Sequence, residues 1–308
     1  MYKVEIKRVS IIGLGALGVL YGHHLSKRMD EGDLRIIADE ARIRRYKEKG
    51  VICNGEICRF NYVTPDEPAE AADLILIAVK FGGLEAAVDM IKNHVGRDTL
   101  ILSLLNGISS EQMIEDVYGK GKVLDCVAQG MDAVKVDNAL SYKNMGLLCF
   151  GDREGVHPSE KAARVARFFD KTRVPYLLDP NMKKRMWGKF MLNVGVNQVV
   201  SFFEGDYGTI QEDGPARDMM IAAMREVLIL SQKEGVCLTE EDLGYWLSIL
   251  EPLNPKGKPS MRQDMEARRP SEVGLFARTV IRLGEKHGIE TPVNQKLYDY
   301  ITSVEKTY

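Results

Sequence analysis

The sequence predicts an α/β protein in two parts: strands alternating with helices up to about residue 180, then helices alone. Three observations carry this. A β-branched run, Arg8-Val9-Ser10-Ile11-Ile12, leads straight into Gly13-Leu14-Gly15-Ala16-Leu17-Gly18, and a helical pattern follows from 16 to about 29. Short apolar runs then recur at 33–38, 72–79 and 99–105, near-continuous in the way parallel strands buried on both faces are. After Asp179-Pro180-Asn181 the alternation stops, and the patterns at 182–203, 216–234, 240–249, 273–287 and 294–306 all read as helices. The expected division is 1–180, an α/β dinucleotide-binding domain, and 181–308, a helical domain.

Each glycine of the first motif has a mechanical reason. Gly13 allows a tight strand-to-helix turn, Gly15 lets a pyrophosphate approach the backbone, and Gly18 lets the helix lie close to its strand. Free N–H groups and the helix dipole then face the phosphates across Gly13, Leu14, Gly15, Ala16, Leu17 and Gly18. A tight turn in another α/β protein, or a loop for S-adenosylmethionine, is the competing reading.

Bulk composition narrows the class. The chain has 308 residues, 45% hydrophobic and 28% charged, with a net charge of −2. That is ordinary globular composition with no basic field to draw nucleic acid. No apolar run approaches the length of a membrane span. The start, Met1-Tyr2-Lys3-Val4-Glu5, carries acid and runs into the first strand, so it does not read as a signal peptide. Five cysteines, an odd number with no C-x-x-C pair, read as reduced thiols of a cytoplasmic protein. The five histidines form no zinc pattern, and no metal is expected.

Along the first part, Asp39 ends the second strand about 20 residues past the glycine loop, where an acid takes the ribose hydroxyls of NAD; it also reads as a plain helix N-cap for 40–49. Arg42, Arg44 and Arg45 follow and could meet a 2′-phosphate, so NAD is favoured over NADP but both stay open. Residues 51–63 read as a hairpin turning at Asn54-Gly55. The strand 72–79 ends in Lys80, and the strand 99–105 ends in Asn106-Gly107. Gly13, Asp39, Lys80 and Asn106 would thus share the carboxyl edge of one sheet, where ligands of open α/β folds collect. The segment 123–151 is expected to add antiparallel strands, and 159–171 an amphipathic helix.

In the helical part, Lys189, Asn193 and Asn197 recur at i, i+4 and i+8 among Phe190, Met191, Leu192, Val194, Val196 and Val199. One polar stripe on a helix whose remaining surface is mostly apolar needs a ligand or a hydrogen-bond ladder. Ser260-Met261-Arg262-Gln263-Asp264 and Glu272 lie downstream and could complete such a site. Exposed-looking apolar positions in these helices would suit a homodimer.

These motifs together resemble the ketopantoate reductase (2-dehydropantoate 2-reductase) family: Gly13-x-Gly15-Ala16-Leu17-Gly18, Val79-Lys80, Asn106-Gly107, Lys189-x-x-x-Asn193-x-x-x-Asn197, Ser260-Met261-x-Gln263-Asp264 and Glu272, in that order. The resemblance implies a Rossmann NAD(P)-binding domain, an all-helical C-terminal domain and an active site between them. It implies hydride transfer from NADPH or NADH to a 2-keto acid, most simply ketopantoate to (R)-pantoate in pantothenate biosynthesis. Lys189 would be the general acid and Glu272 its partner. Asn106 would touch nicotinamide and substrate, Asn193, Asn197 and Ser260 would bind substrate, and Lys80 would sit by the cofactor ribose. Asp39 stands where the family usually has Arg, which points to NAD. Gly257 replaces a frequent Asn, and Gly274 and Ala277-Arg278 replace the usual Asp and Asn-Gly, with Arg278 expected to bring charge toward the pocket. These departures leave room for a D-2-hydroxyacid dehydrogenase acting on another keto acid. A dinucleotide sensor without turnover is the alternative of a different class.

Overall fold

A computed structural model describes residues 5–308; Met1–Val4, read above as part of the acid-bearing lead-in to the first strand, lie outside the described residues. The chain divides into two compact units, 1–182 and 183–308.

The first unit is built on strands β1 (Val9–Ile12), β2 (Leu34–Ile37), β3 (Ile52–Cys53), β4 (Glu56–Ile57), β5 (Asn61–Val63), β6 (Ala72–Ile77), β7 (Val95–Ser103), β8 (Val123–Gln129), β9 (Val134–Val136), β10 (Ala139–Ser141), β11 (Leu147–Gly151) and β12 (Tyr176–Leu178). Its helices are α1 (Ala16–Ser26), α2 (Glu40–Lys49), α3 (Leu84–Met90), α4 (Ser110–Tyr118) and α5 (Glu160–Thr172). Eight strands form one sheet in the order β12-β11-β8-β7-β6-β1-β2-β5. From β5 across to β8 all pair in parallel; β11 runs antiparallel to β8, and β12 parallel to β11. The chain moves from β1 to β2 on one side and later places β6 on the other, so the order reverses at β1, the switch point where open α/β sheets bind ligands.

The strands are buried on both faces, which is why their sequences show no polar alternation. Val9, Ile11, Leu74 and Leu76 pack with Leu20 and Leu25 of α1 and Val165 and Phe169 of α5. Ile12, Ile75 and Ile77 pack on the opposite face with Leu84 and Val88 of α3 and Ile114 of α4. Fully burying each such side chain contributes ~1.5–3 kcal/mol over leaving it exposed.

Three expectations need correction. Only 52–57 form the Asn54-Gly55 hairpin; β5 leaves it and extends the main sheet beside β2. The segment 123–151 does not add antiparallel strands alone, since β8 is parallel to β7, and β9 and β10 join β3 and β4 in a separate four-stranded sheet. The helix expected over 273–287 begins only at Ala277, because 272–276 close as tight turns with Leu275 and Phe276 N–H both donating to the Glu272 carbonyl.

The second unit holds α6 (Met182–Phe202), α7 (Tyr207–Gln211), α8 (Pro215–Lys233), α9 (Glu240–Ser248), α10 (Ser260–Glu266), α11 (Ala277–His287) and α12 (Pro292–Glu305), with no strand among its residues. The short helices α7 and α10 have too few turns to show a periodic pattern in sequence. Gly188 and Gly195 let neighbours approach α6: a Cβ on Gly188 would stand 2.1 Å from Trp246 Nε1, and one on Gly195 2.6 Å from Met224 Cγ. No helix among the described residues is long and apolar enough to cross a membrane.

Candidate active site

In the first unit the glycine loop follows β1 directly. Gly13 has φ +94°, and a Cβ there would meet the Ala78 carbonyl oxygen at 2.6 Å; a Cβ on Gly18 would come within 1.8 Å of the Gly13 oxygen. Both glycines are therefore demanded by the fold itself. Gly15 is different. Its Cβ would lie 3.5 Å from the Ala78 oxygen, an ordinary contact, so packing does not require glycine here. What its missing side chain leaves is open backbone at the start of α1, whose N-cap is Gly15 and whose first turn has no side-chain cap. Backbone donors left without a side-chain partner at a helix N-terminus fit an anionic pyrophosphate. Leu14, by contrast, is buried in the core, and Ala16 and Leu17 are half-buried against it.

Asp39 performs the capping role as well. Its carboxylate accepts from the Arg42 N–H at 2.7 Å and from Arg42 Nη1 at 2.9 Å. Both side chains stay about half exposed, so the pair is open to a ligand. Lys80 is exposed, three residues past β6, and begins the turn Phe81–Gly83. Asn106 is half-buried, three residues past β7. Because β1, β2, β6 and β7 are parallel, Gly13, Asp39, Lys80 and Asn106 all emerge at one edge of the sheet.

In the second unit α6 carries the polar stripe. Lys189 and Asn193 are half-buried and Asn197 is buried, so the lysine is less enclosed than the surrounding apolar pattern implies. Asn197 Nδ2 donates to Asn193 Oδ1 at 3.3 Å. Asn197 Oδ1 in turn accepts from Ser260 Oγ at 3.5 Å and the Met261 N–H at 3.4 Å. The structure thus brings Asn193, Asn197 and Ser260 into one chain, at the N-terminus of α10. Asn193 Nδ2 is buried without a hydrogen-bond partner among the described residues. Glu272 is half-buried in the turn before α11; Ser271 Oγ accepts from the Val273 N–H beside it.

Two departures from the family pattern acquire a local reason. A Cβ on Gly257 would crowd the Tyr207 ring at 3.0 Å, so this loop trades an asparagine for the tyrosine packed on it. Arg278 does not turn inward: it is exposed, with its guanidinium 5.9 Å from the Tyr298 ring centre. Gly274 is exposed with open space where a Cβ would stand. Sequence reasoning also missed α4, whose Ser110 and Glu111 are almost wholly buried; an acid in the first turn just after Asn106-Gly107 was the available signal.

The sheet, with its order reversing at β1 and the glycine loop after it, has the form of a Rossmann dinucleotide-binding fold. Comparison with known proteins gives the family. Residues 9–154 match the model described as ketopantoate reductase PanE/ApbA, and 181–305 match the model of its C-terminal part. The chain belongs to the ketopantoate reductase family, whose members are NAD(P)-dependent oxidoreductases. It is 25% identical over 304 residues to a 2-dehydropantoate 2-reductase of Streptococcus pyogenes, covering 96% of this chain and 97% of that one. A PanE/ApbA family ketopantoate reductase from Ralstonia eutropha superposes with a TM-score of 0.84 at 23% identity, over 97% of this chain and 99% of that one. A D-mandelate dehydrogenase solved with NADH and anilino(oxo)acetate superposes with a TM-score of 0.86 at 20% identity, with the same coverage.

Proposed function

We propose that this chain reduces a 2-keto acid to the 2-hydroxy acid, with ketopantoate, giving (R)-pantoate in pantothenate biosynthesis, as the first candidate. The observation that carries the reading is the Lys189, Asn193 and Asn197 stripe. It is a charge and two amides on one face of α6, among the buried Phe190, Met191, Val194, Val196 and Val199, with one amide donor lacking an acceptor among the described residues. A nicotinamide dinucleotide held at the Gly13–Gly18 loop would, when bound, supply the hydride for the keto acid. Lys189 gives the carbonyl oxygen its proton, and its charge stabilises that oxygen as it becomes negative. Glu272 favours the protonated amine against the desolvation that lowers a half-buried lysine's pKa. Asn193 and Asn197 donate to the substrate's carboxylate and hydroxyl end, and Ser260 Oγ, whose hydrogen goes to Asn197 Oδ1, accepts from the hydroxyl. Asn106 orients the nicotinamide and the substrate, and Lys80 meets the ribose.

For the cofactor we infer NADH. Asp39 keeps lone pairs for a ribose diol while it holds Arg42, and its charge repels a 2′-phosphate. The second reading is a D-2-hydroxyacid dehydrogenase for an aromatic keto acid. It is favoured by the likeness to D-mandelate dehydrogenase and by Tyr207 packed where Gly257 makes room.

The test is purified protein with NADH and NADPH against ketopantoate and a panel of aliphatic and aromatic 2-keto acids. Lys189→Ala should cut kcat by about 10²–10⁴-fold, the range of a lost general acid, with dinucleotide affinity unchanged. Full turnover by Lys189→Ala refutes the assigned chemistry, and a parent protein that binds dinucleotide but reduces nothing in the panel supports the sensor.

A further inference from the structure

The turn between β7 and α4 carries Asn106, and its geometry is tied to a group outside the family pattern quoted above. Ser103, the last residue of β7, is fully buried; Ser110 and Glu111, which open α4, are each 1% exposed. Ser110 Oγ donates to Glu111 Oε2 at 2.9 Å. Its one hydrogen is spent there, so in the 2.8 Å contact between the two serines Ser103 is the donor. Ser103 Oγ in turn accepts from the Leu105 N–H at 3.4 Å, a serine turn across the end of the strand. The hydrogen bonds thus run one way, from the backbone next to Asn106 through two hydroxyls to one carboxyl group. Within the turn Gly107 takes φ +94°, and Ser109 Oγ is buried without a partner among the described residues. On the other side of the chain the Leu104 N–H donates to the Ile77 carbonyl at 2.8 Å.

We propose that Glu111 is a positioning residue: its buried carboxyl group anchors the hydrogen-bond chain Leu105–Ser103–Ser110 and so fixes the turn that presents Asn106. The inference rests on the reading that Asn106 contacts the nicotinamide and the keto acid. A carboxyl here is otherwise an expensive choice, because burying it removes it from water with Asp125 nearby. Asp125 and Glu115 both pair with Arg153, at 3.0 and 3.1 Å, and no ion pair joins Glu111 to Arg153 among the described residues. Burial, with the Asp125 charge adding to it, pushes Glu111 up to about 8. At neutral pH it is therefore mainly the neutral acid, with its carbonyl oxygen still able to accept from Ser110.

That protonation state makes a conservative variant informative. A glutamine amide oxygen accepts from Ser110 as the neutral acid does; a leucine fills the space and accepts nothing. The experiment measures kcat, keto-acid KM and NADH affinity at pH 7 for Ser110→Ala, Glu111→Leu, Glu111→Gln and Asn106→Ala, with the keto acid that the parent turns over. Ser110→Ala and Glu111→Leu should lower kcat by about 10- to 100-fold, the cost of misplacing a group near the reacting atoms. NADH affinity, set at the glycine loop, should stay within about twofold. Glu111→Gln should recover most of the kcat that Glu111→Leu loses. Unchanged kcat in Ser110→Ala overturns the proposal, as does a glutamine variant no better than leucine. Should Glu111→Leu fail to fold, Ser110→Ala decides alone. If Asn106→Ala keeps full kcat, the reading of Asn106 fails instead; if it loses kcat while Ser110→Ala does not, only this inference fails.

Discussion

Asp39 does two jobs, and they have to be separated before its effect on cofactor choice can be measured. It caps α2 through the Arg42 N–H and pairs with the Arg42 guanidinium. Losing such a cap costs ~1 kcal/mol, which alone would disturb the loop after β2. Asn keeps the capping oxygen and removes the charge. Asp39→Asn should therefore shift preference toward NADPH, raising the ratio of NADPH to NADH kcat/KM by about 10-fold, the worth of ~1.4 kcal/mol of relieved repulsion. In the same background Arg42→Ala should lower NADPH affinity, since Arg42, released from the Asp39 carboxylate, would be open to a 2′-phosphate. Titration of both reduced cofactors into the three proteins by fluorescence checks this. Tighter NADPH than NADH binding by the unaltered protein would contradict the role given to Asp39.

At the scale of elements, α4 makes the contrast between what sequence carries and what it hides. Gly13, Gly18 and the strands of the main sheet were legible because their constraint is local: a positive φ, a close approach, a run buried on both faces. The polar stripe on α6 was legible because i, i+4, i+8 spacing needs only helical geometry. The parallel pairing of β5 with β2 and the separate β3, β4, β9, β10 sheet were not, since those short strands are defined by partners far along the chain. The cluster of Glu111 and Glu115 on α4 with Asp125 on β8 and Arg153 was equally hidden, because it exists only once 38 residues of chain fold back onto α4. That cluster has a consequence for stability. Burial holds the Glu111 carboxyl at about 8 in the folded chain, against 4.5 for an ordinary glutamate. Its favourable contribution is complete below about pH 4.5 and is lost as pH rises toward 8, because the unfolded chain then binds fewer protons than the folded one. Glu111→Gln removes this loss. The variant should gain stability relative to the parent across pH 5–8, by at most about 1.4 kcal/mol per pH unit, and the gain should level off above pH 8. Urea unfolding of both proteins at a series of pH values reads the difference directly; parallel pH profiles would show that Glu111 is ionised when folded.

For the whole molecule, the two compact units make a single unfolding free energy an uncertain quantity, because multi-unit chains commonly depart from two-state behaviour. A ligand's effect is therefore better read amide by amide. The N-termini of α1 and α12 offer a contrast. At α12 the Val293 and Asn294 N–H groups already donate to Glu226, at 2.8 and 3.0 Å. At α1 the first turn has no side-chain cap and glycine stands at the N-cap. If the dinucleotide lies over β1, NADH at about 100 times its Kd should stabilise the first unit by ~2.7 kcal/mol. That slows exchange through unfolding of this unit by about 100-fold, again by mass action alone. Hydrogen-exchange mass spectrometry should then show the sharpest gain at residues 14–18, where phosphate oxygens would newly accept from backbone N–H groups, and much less at 292–296. The same measurement with the Gly18→Ala variant should show no gain, because its Cβ cannot coexist with the Gly13 carbonyl 1.8 Å away. Equal protection of the two helix starts would remove the dinucleotide from the glycine loop, and with it the assignment of the hydride donor.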